Sequence, residues 1–460
     1  MKQFADIEAG NIMARSEFHR HLPACLGVPH DDMSIAVFPD LPEIMQQIHR
    51  LKRGKAPGPN GLPPDVLKAG SHDIAQHLVV LTTKIAAHGR EPAAWRTGKL
   101  IPLHKGKLAK SDPTGYRSIF LNNFTTKIYH SVLRKHLVQA WSSVLTHLQI
   151  GGRKGLGCDS AHHIIQAHVA YGQIHKHPSA ILFVDFKSAF YSVVRQGLFQ
   201  EDIDATSFMI AMHRLGIHPQ HVEQLLQHAH SEAAIANIAP HAMQLLHDML
   251  QATCFEMEGL SEVAVTTRGT RPGDPIGDIA FNIVMAALLK DVSENIRPSQ
   301  AIWEGAPDDV HDFADVKSPA PFAWAEVAYV DDLALLLRAP SNLQLIDLTH
   351  VAAGAVFQAA NCRGLELTVG EGKTELLWAL RGGGKKKLQT QVAYDHGTLS
   401  IPLPERDQPL PLPIVLSYKH LGTWVQNDAK PLRAIRTRLH AARQAWGPLV
   451  RPFLSKKGVL

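Results

Sequence analysis

An α+β fold spread over more than one domain is what this sequence predicts, and three observations carry the expectation. The chain has 460 residues, of which 45% are hydrophobic, so it can bury a large core. Two apolar runs of strand length, Ala180–Val184 and the segment VAYVDDLALLL at Val327–Leu337, each place carboxylates where a strand ends or a chain turns. Stretches of helical period, such as the His-rich Asp204–Glu258, stand between and around these runs.

The elements follow in order. Residues 1 to about 50 read as mixed helix. Arg50–Gly70 gathers Gly and Pro into a turn-rich loop, and Ser71–His88 is expected to be a helix. GKLIPLHKGK, Gly98–Lys107, reads as a strand entering a basic loop, with GYRSIFLNN, Gly115–Asn123, as its hairpin partner. Helices are expected at Thr125–Val144 and Cys158–His175, followed by the buried strand Ala180–Val184 with Asp185 at its end. Asp204–Glu258 is His-rich and helical in period. Ala264–Leu289 gives a strand, a Gly/Pro turn and an apolar helix, and Arg297–Pro321 a loose loop. Beyond the Val327–Leu337 hairpin come a helix at Ser341–Asn361, two short strands around a Gly turn in Leu365–Leu380, a mobile basic loop at Arg381–Lys387 and a strand at Tyr418–Val425. There is no internal repeat and no heptad array.

Several classes are excluded. The longest apolar run, FNIVMAALL at Phe281–Leu289, falls well short of the roughly 20 residues of a spanning helix. The N-terminal sequence has neither an apolar signal core nor the Arg-rich character of a transit peptide, so nucleus or cytosol is expected. Cys25, Cys158, Cys254 and Cys362 form no C-x-x-C pair and are expected as reduced thiols. Cys158 with His162 and His163 is not assigned to zinc, because a chain with 28 histidines brings such neighbours together by chance. Net charge is only +5, yet from Lys430 onward there are eight Lys or Arg and no acid. There Arg433, Arg436, His440 and Arg443 share one helical face, and Leu432, Ile435, Leu439, Ala442 and Trp446 the opposite one, which is expected to pack. A helix gripping phosphates and a solvated surface helix read alike at this level.

The carboxylates carry the chemistry. If the two apolar strands are neighbours, Asp185 and Asp331 converge, and such a cluster binds hard divalent cations through oxygen, two of them about 4 Å apart for phosphoryl transfer. The plainer alternative makes Asp331 and Asp332 a solvated turn and Asp185 a helix cap, and either motif alone fits it better.

The order of motifs changes this balance. Gly54–Lys68 (GKAPGPNGLPPDVLK), Ile101–Lys107 (IPLHKGK), Tyr116–Asn123 (YRSIFLNN), Phe183–Val193 (FVDFKSAFYSV), Arg268–Asn282 (RGTRPGDPIGDIAFN), Ala328–Leu336 (AYVDDLALL), Gly364–Leu377 (GLELTVGEGKTELL) and Tyr418–Val425 (YKHLGTWV) resemble, in family order, the motifs of reverse transcriptases, most closely those of non-LTR retrotransposons and group II introns. The resemblance implies a right-hand polymerase. A helical extension would occupy 1–50, fingers 51–178, a palm with an antiparallel sheet backed by helices 179–425, and the start of a truncated thumb 426–460. It implies an RNA-directed DNA polymerase that takes an RNA template, a DNA primer and dNTP, works with two Mg²⁺ ions or Mn²⁺ in their place, and needs no membrane. Asp185 and Asp331 would be the main metal ligands, Asp332 their support, and the Phe186 backbone carbonyl a further ligand. Lys105 and Arg117 would clamp the triphosphate, and Lys373 would be the general acid for pyrophosphate. Phe190 would close over the sugar and exclude a 2′-hydroxyl, its alternative being a core phenylalanine. Pro272 and Gly273 would lie at the nucleotide, and Gly273 would permit a close approach. Tyr418, Lys419, His420, Leu421 and Gly422 would form the primer grip. Arg433, Arg436 and Arg443 would hold nucleic-acid backbone with a salt-sensitive affinity.

Two departures stand out. Pro272 replaces the family's usual Gln, removing a polar contact to the nucleotide, and Tyr191 stands where Asp is common. The sequence leaves no room upstream for an endonuclease domain and shows no RNase H region, so a fragment of a larger element is expected. The rival reading is a catalytically impaired remnant that only binds nucleic acid. The three intact aspartates favour catalysis, and Phe190 with the fingers motifs argues against an RNA-dependent RNA polymerase.

Overall fold

In the computed structural model the described residues are 1–21, 33–106, 108–142, 144–195, 198, 209, 212–213, 217, 222–223, 226, 239–301, 323–394, 396–403 and 407–454. Cys25, Lys107, most of the His-rich stretch before residue 239, the loop 302–321 and the last basic residues, Lys456 and Lys457, lie outside them. The chain forms two compact units. One comprises residues 1–146, 187–289 and 359–366, the other 147–186, 290–358 and 367–460. Each takes chain from three stretches.

The first unit holds a five-stranded sheet in the order Asn11–Ala14, Glu262–Thr266, Thr253–Glu256, Thr97–His104, Tyr116–Leu121. The expected hairpin is there, with Leu103 opposite Arg117 and His104 opposite Tyr116. The N-terminal extension is not wholly helical. Asn11–Ala14 is an edge strand antiparallel to Glu262–Thr266, and at four residues it is too short for its period to be visible in sequence. The Ser71–His88 helix ends at Gly89, whose φ of 61° suits the left-handed cap that glycine adopts without penalty.

The second unit holds a six-stranded sheet in the order Thr398–Ile401, Leu410–Val415, Glu375–Ala379, Ser179–Val184, Asp332–Arg338, Ala323–Tyr329. All neighbours are antiparallel except Leu410–Val415 with Glu375–Ala379. Ser179–Val184 is central and buried at every residue, which explains why its apolar run is continuous and not alternating. On one face Ile165 and Val169 of the helix Cys158–Ile174 pack with Ile181, Phe183, Leu336 and Leu377.

Four expectations in the C-terminal half are corrected. Lys385–Lys387 do not lie in a mobile loop but open the helix Lys385–Tyr394, whose ten residues include no Gly or Pro. The glycines before it are pinned, since Asn342 Nδ2 donates to the carbonyls of Arg381 and Gly383 at 2.8 and 2.9 Å. Leu365–Leu380 yields one strand, Glu375–Ala379, while Leu367 makes a single bridge to Phe186. Tyr418–Val425 is a hairpin of Ser417–His420 with Thr423–Gln426, turned by Leu421 and Gly422 at φ 46° and 81°, the positive pair that a tight antiparallel turn requires. Finally, the apolar face of the helix Leu432–Leu454 does not pack. Leu432, Ile435, Leu439 and Trp446 are 48–55% exposed. Upstream, the helix Gly277–Ala301 runs five residues into the expected loop. Among the described residues no helix is long and apolar enough to cross a membrane.

Candidate active site

The sheet of the second unit brings the aspartates together through register alone. Val184 pairs with Leu333 on the antiparallel neighbour, so the next position sets Asp185 beside Asp332. Tyr329 pairs with Asp332, leaving Val330 and Asp331 as a two-residue turn at the same edge. Val330 adopts φ 60°, an unfavourable conformation for a β-branched residue. The neighbouring chain braces it: Ile150 N–H donates to Ala328 O at 2.7 Å and Ala328 N–H to Leu148 O at 3.1 Å. Gly151 comes so close that a Cβ there would stand 2.3 Å from Val330 N. The turn that carries Asp331 and Asp332 is thus braced by neighbouring chain, with Asp331 half-buried and Asp332 exposed.

Asp185 is held on three sides. Its N–H donates to Thr374 Oγ1 at 3.0 Å, and its carbonyl accepts from Thr368 N–H at 2.9 Å. Its carboxylate faces Lys373 Nζ, at 3.0 Å from Oδ2 and 3.2 Å from Oδ1. The bridge between Phe186 and Leu367 uses Lys187 N–H to Glu366 O and Thr368 N–H to Asp185 O, so neither of its bonds occupies the Phe186 carbonyl.

Burial and neighbouring charge disfavour the ionised forms of Asp331 and Asp332. Burial and the nearby Asp185 raise the Asp331 carboxyl above its ordinary range. The Asp332 carboxyl is pushed up to about 6 by the desolvating protein around it, then by Asp331 and Asp185, against an opposing pull from Lys373. Glu375, buried in the adjacent strand, is also raised by burial. Among the described residues no three His, Cys, Asp or Glu side chains are arranged to hold a metal by themselves. Magnesium does not ask for such a cage, since it is held through one or two carboxylates with substrate phosphates and water completing the shell. Carboxylates crowded at one strand edge and compensated by one ammonium form a donor set that fits a hard divalent cation.

The hairpin expected to grip a primer is partly turned inward. Tyr418 stacks on Phe183, ring centroids 4.1 Å apart and planes 8° from parallel, and its hydroxyl donates to Lys373 O at 2.8 Å. His420 is also buried, and burial pushes its imidazole down to about 4, so it is neutral. Tyr418 and His420 thus lie on the inward side of the hairpin, as strand alternation dictates. Lys419 is exposed, as is Gly422 in the turn beside the half-buried Leu421. On the following helix the Arg433 guanidinium lies 3.5 Å from the Trp424 ring centroid and hydrogen-bonds Ser417 Oγ, so it is committed to this hairpin. Arg436 and Arg443 are exposed.

A family model described as "Reverse transcriptase (RNA-dependent DNA polymerase)" matches residues 105–391, more than half of the chain. The chain belongs to the reverse transcriptase family. It is 30% identical over 155 residues to a 115 kDa protein of the type-1 retrotransposable element R1DM of Drosophila melanogaster, covering 33% of this chain and 15% of that protein. It is 28% identical over 153 residues to a retrovirus-related Pol polyprotein of the type-1 retrotransposable element R1 of Bradysia coprophila, covering 33% and 15%. The match thus spans about a seventh of either relative's length, and both relatives are proteins of type-1 retrotransposable elements.

The nucleotide residues expected of this reverse transcriptase lie in the first unit. Lys105 follows the strand Thr97–His104 directly, and Arg117 faces Leu103 two residues earlier, so alternation sets both exposed cations toward one face of the hairpin. Phe190 is half-buried, its ring centroid 5.0 Å from that of Phe281. Tyr191, in the place of the family's Asp, receives a hydrogen bond from Ser118 Oγ at 2.6 Å and is a structural tie. Gly273, at φ 97°, is required by the protein itself, because a Cβ there would stand 2.9 Å from the Phe120 carbonyl. Arg271 beside Pro272 is already committed within the protein. Its buried guanidinium donates to Trp95 O at 3.0 Å and Asn122 Oδ1 at 2.9 Å. Pro272→Gln is therefore expected to restore a polar contact and lower KM for dNTP, by about 0.5–1.5 kcal/mol, a few-fold to roughly tenfold. Steady-state kinetics on one RNA template check it, and an equal or higher KM would mark Pro272 as an adapted alternative.

Proposed function

We propose that this chain is the polymerase portion of a non-LTR retroelement, copying RNA into DNA by adding dNTP to a primer 3′-hydroxyl. One observation carries the reading. Asp185, Asp331 and Asp332 are set together at the ends of neighbouring strands by register, and the charge of Asp331 and Asp332 is disfavoured there in a way that a divalent cation relieves. In this reading the six-stranded sheet is the palm and the Thr97–Leu121 hairpin belongs to the fingers.

Asp185 and Asp331, with the Phe186 carbonyl, would hold two Mg²⁺ ions, and Asp332 would add charge beside them. Such ions, when bound, polarise the primer hydroxyl and neutralise charge developing on the phosphates. The side chains do the rest. Lys105 and Arg117 supply fixed positive charge for the triphosphate, the Arg as a planar fork. Lys373 Nζ carries a proton suited to the departing pyrophosphate. Lys419 and the Leu421–Gly422 turn meet the primer, and Arg436 and Arg443 meet the backbone, with binding that weakens as salt rises.

Primer extension on an RNA template, with and without Mg²⁺ and with either nucleotide set, tests the reading. Mg²⁺-dependent incorporation of dNTP in preference to NTP is expected. Template binding without incorporation would leave only the nucleic-acid-binding remnant. In the same assay Phe190→Val is expected to admit ribonucleotides, because the ring that meets a 2′-hydroxyl is gone. Unchanged selectivity would make Phe190 a core residue seated on Phe281.

A further inference from the structure

Lys373 is a long, half-exposed side chain with much rotamer freedom to lose, yet it is held against both oxygens of Asp185. Its loop does little to fix it. Gly370 and Gly372, at φ 145° and 68°, flank Glu371, and such residues leave the backbone free to take many paths. Two internal bonds close the turn, Lys373 N–H to Gly370 O at 3.0 Å and Thr374 N–H to Thr368 O at 2.9 Å. The Lys373 carbonyl is pinned from outside, by the Tyr418 hydroxyl at 2.8 Å. The Tyr418 ring is itself immobilised by its stack on Phe183, next to Val184 and Asp185 in the central strand. Its hydroxyl thus refers the Lys373 loop to the strand that carries Asp185.

We propose that Tyr418 is a positioning residue, whose hydroxyl holds the Lys373 backbone so that the ammonium is aimed at the Asp185 carboxylate. Phe183 stacking fixes the ring, and the hydroxyl fixes the loop. Because Tyr418 alternates with Lys419 on one strand, displacement of that strand by a primer is transmitted to Lys373 and from there to Asp185. This consequence for catalysis rests on the polymerase reading; the positioning itself does not.

The test reads Lys373 directly, without metal or nucleic acid. An amine-reactive ester labels the folded chain, and peptide mass spectrometry compares Lys373 with Lys385 and Lys419. Tyr418→Phe keeps the stacked ring and removes the hydrogen bond, so Lys373 labelling is expected to rise roughly three- to tenfold while the reference lysines stay constant. Asp185→Asn breaks the ion pair and is expected to expose Lys373 similarly, with no further rise in the double variant. Placing 4-aminophenylalanine at position 418 restores a donor and is expected to restore protection. Lys373 labelling unchanged in Tyr418→Phe, or a rise shared by Lys385 and Lys419, overturns the proposal. Primer extension run in parallel keeps the two readings apart. An inert protein with this labelling pattern retains the positioning and loses the polymerase, and an active one with Lys373 unmoved does the reverse.

Discussion

Asp331→Asn is expected to reduce nucleotide incorporation by at least roughly a thousand-fold, about 4 kcal/mol of transition-state stabilisation, the scale of losing a ligand to a catalytic cation. The substitution is isosteric and removes only charge. Folding is expected to survive, because the Asp331 carboxylate is a liability in the cation-free fold, where burial and Asp185 both oppose its ionisation. Near neutral pH the melting temperature of the Asn variant without divalent cations should therefore equal or exceed that of the wild-type chain, and RNA binding should be unchanged. Incorporation within tenfold of wild type would remove Asp331 from the metal site.

The aspartates were legible because each sits at the end of a strong strand signal, and an antiparallel register with a two-residue turn then leaves them no choice but to meet. The support around them was not legible. Thr374 and Gly151 carry no motif chemistry, and their roles exist only once the strands are paired. Tyr418 and His420 alternate with Lys419 in a run that already reads as one side in and one side out, but aromatic groups with polar tips fit either side. The helix Lys385–Tyr394 was hidden by the glycines before it, which end at Gly384 and never enter the helix. Arg433 shares a helical face with Arg436 and Arg443, and helical period cannot show that the Trp424 ring captures one of the three. The edge strand Asn11–Ala14 is specified by Glu262–Thr266, some 250 residues away.

His130 shows the same limit most sharply and gives the second large expected effect. One histidine among 28, it lies fully buried in the first unit between two carboxylates, with Nε2 2.5 Å from Glu91 Oε1 and Nδ1 2.8 Å from Asp274 Oδ2. Asp274 also accepts from Asn122 Nδ2 at 2.6 Å and from Ile276 N–H at 3.0 Å, and so anchors the turn that contains Pro272 and Gly273. Burial disfavours the imidazolium, but the charges and hydrogen bonds of Asp274 and Glu91 outweigh it and raise His130 to about 9. Asp274, despite its own burial, is lowered to about 2, chiefly by His130. His130→Ala strands two buried carboxylates and should cost about 3–5 kcal/mol, the usual penalty for breaking a buried ion pair from one side. The sign of the pH dependence follows from linkage. The folded chain holds the His130 proton more tightly than the unfolded one, so this stabilisation is complete below about 6.5 and is lost as pH rises through about 9. The depressed Asp274 acts in the opposite sense, its contribution present above about 3.8 and lost as pH falls through about 2. Thermal melts of wild type and His130→Ala from pH 6 to 10 should converge toward the alkaline end as the wild-type chain loses its advantage. Parallel curves across that range would mean that the imidazole is neutral in the fold.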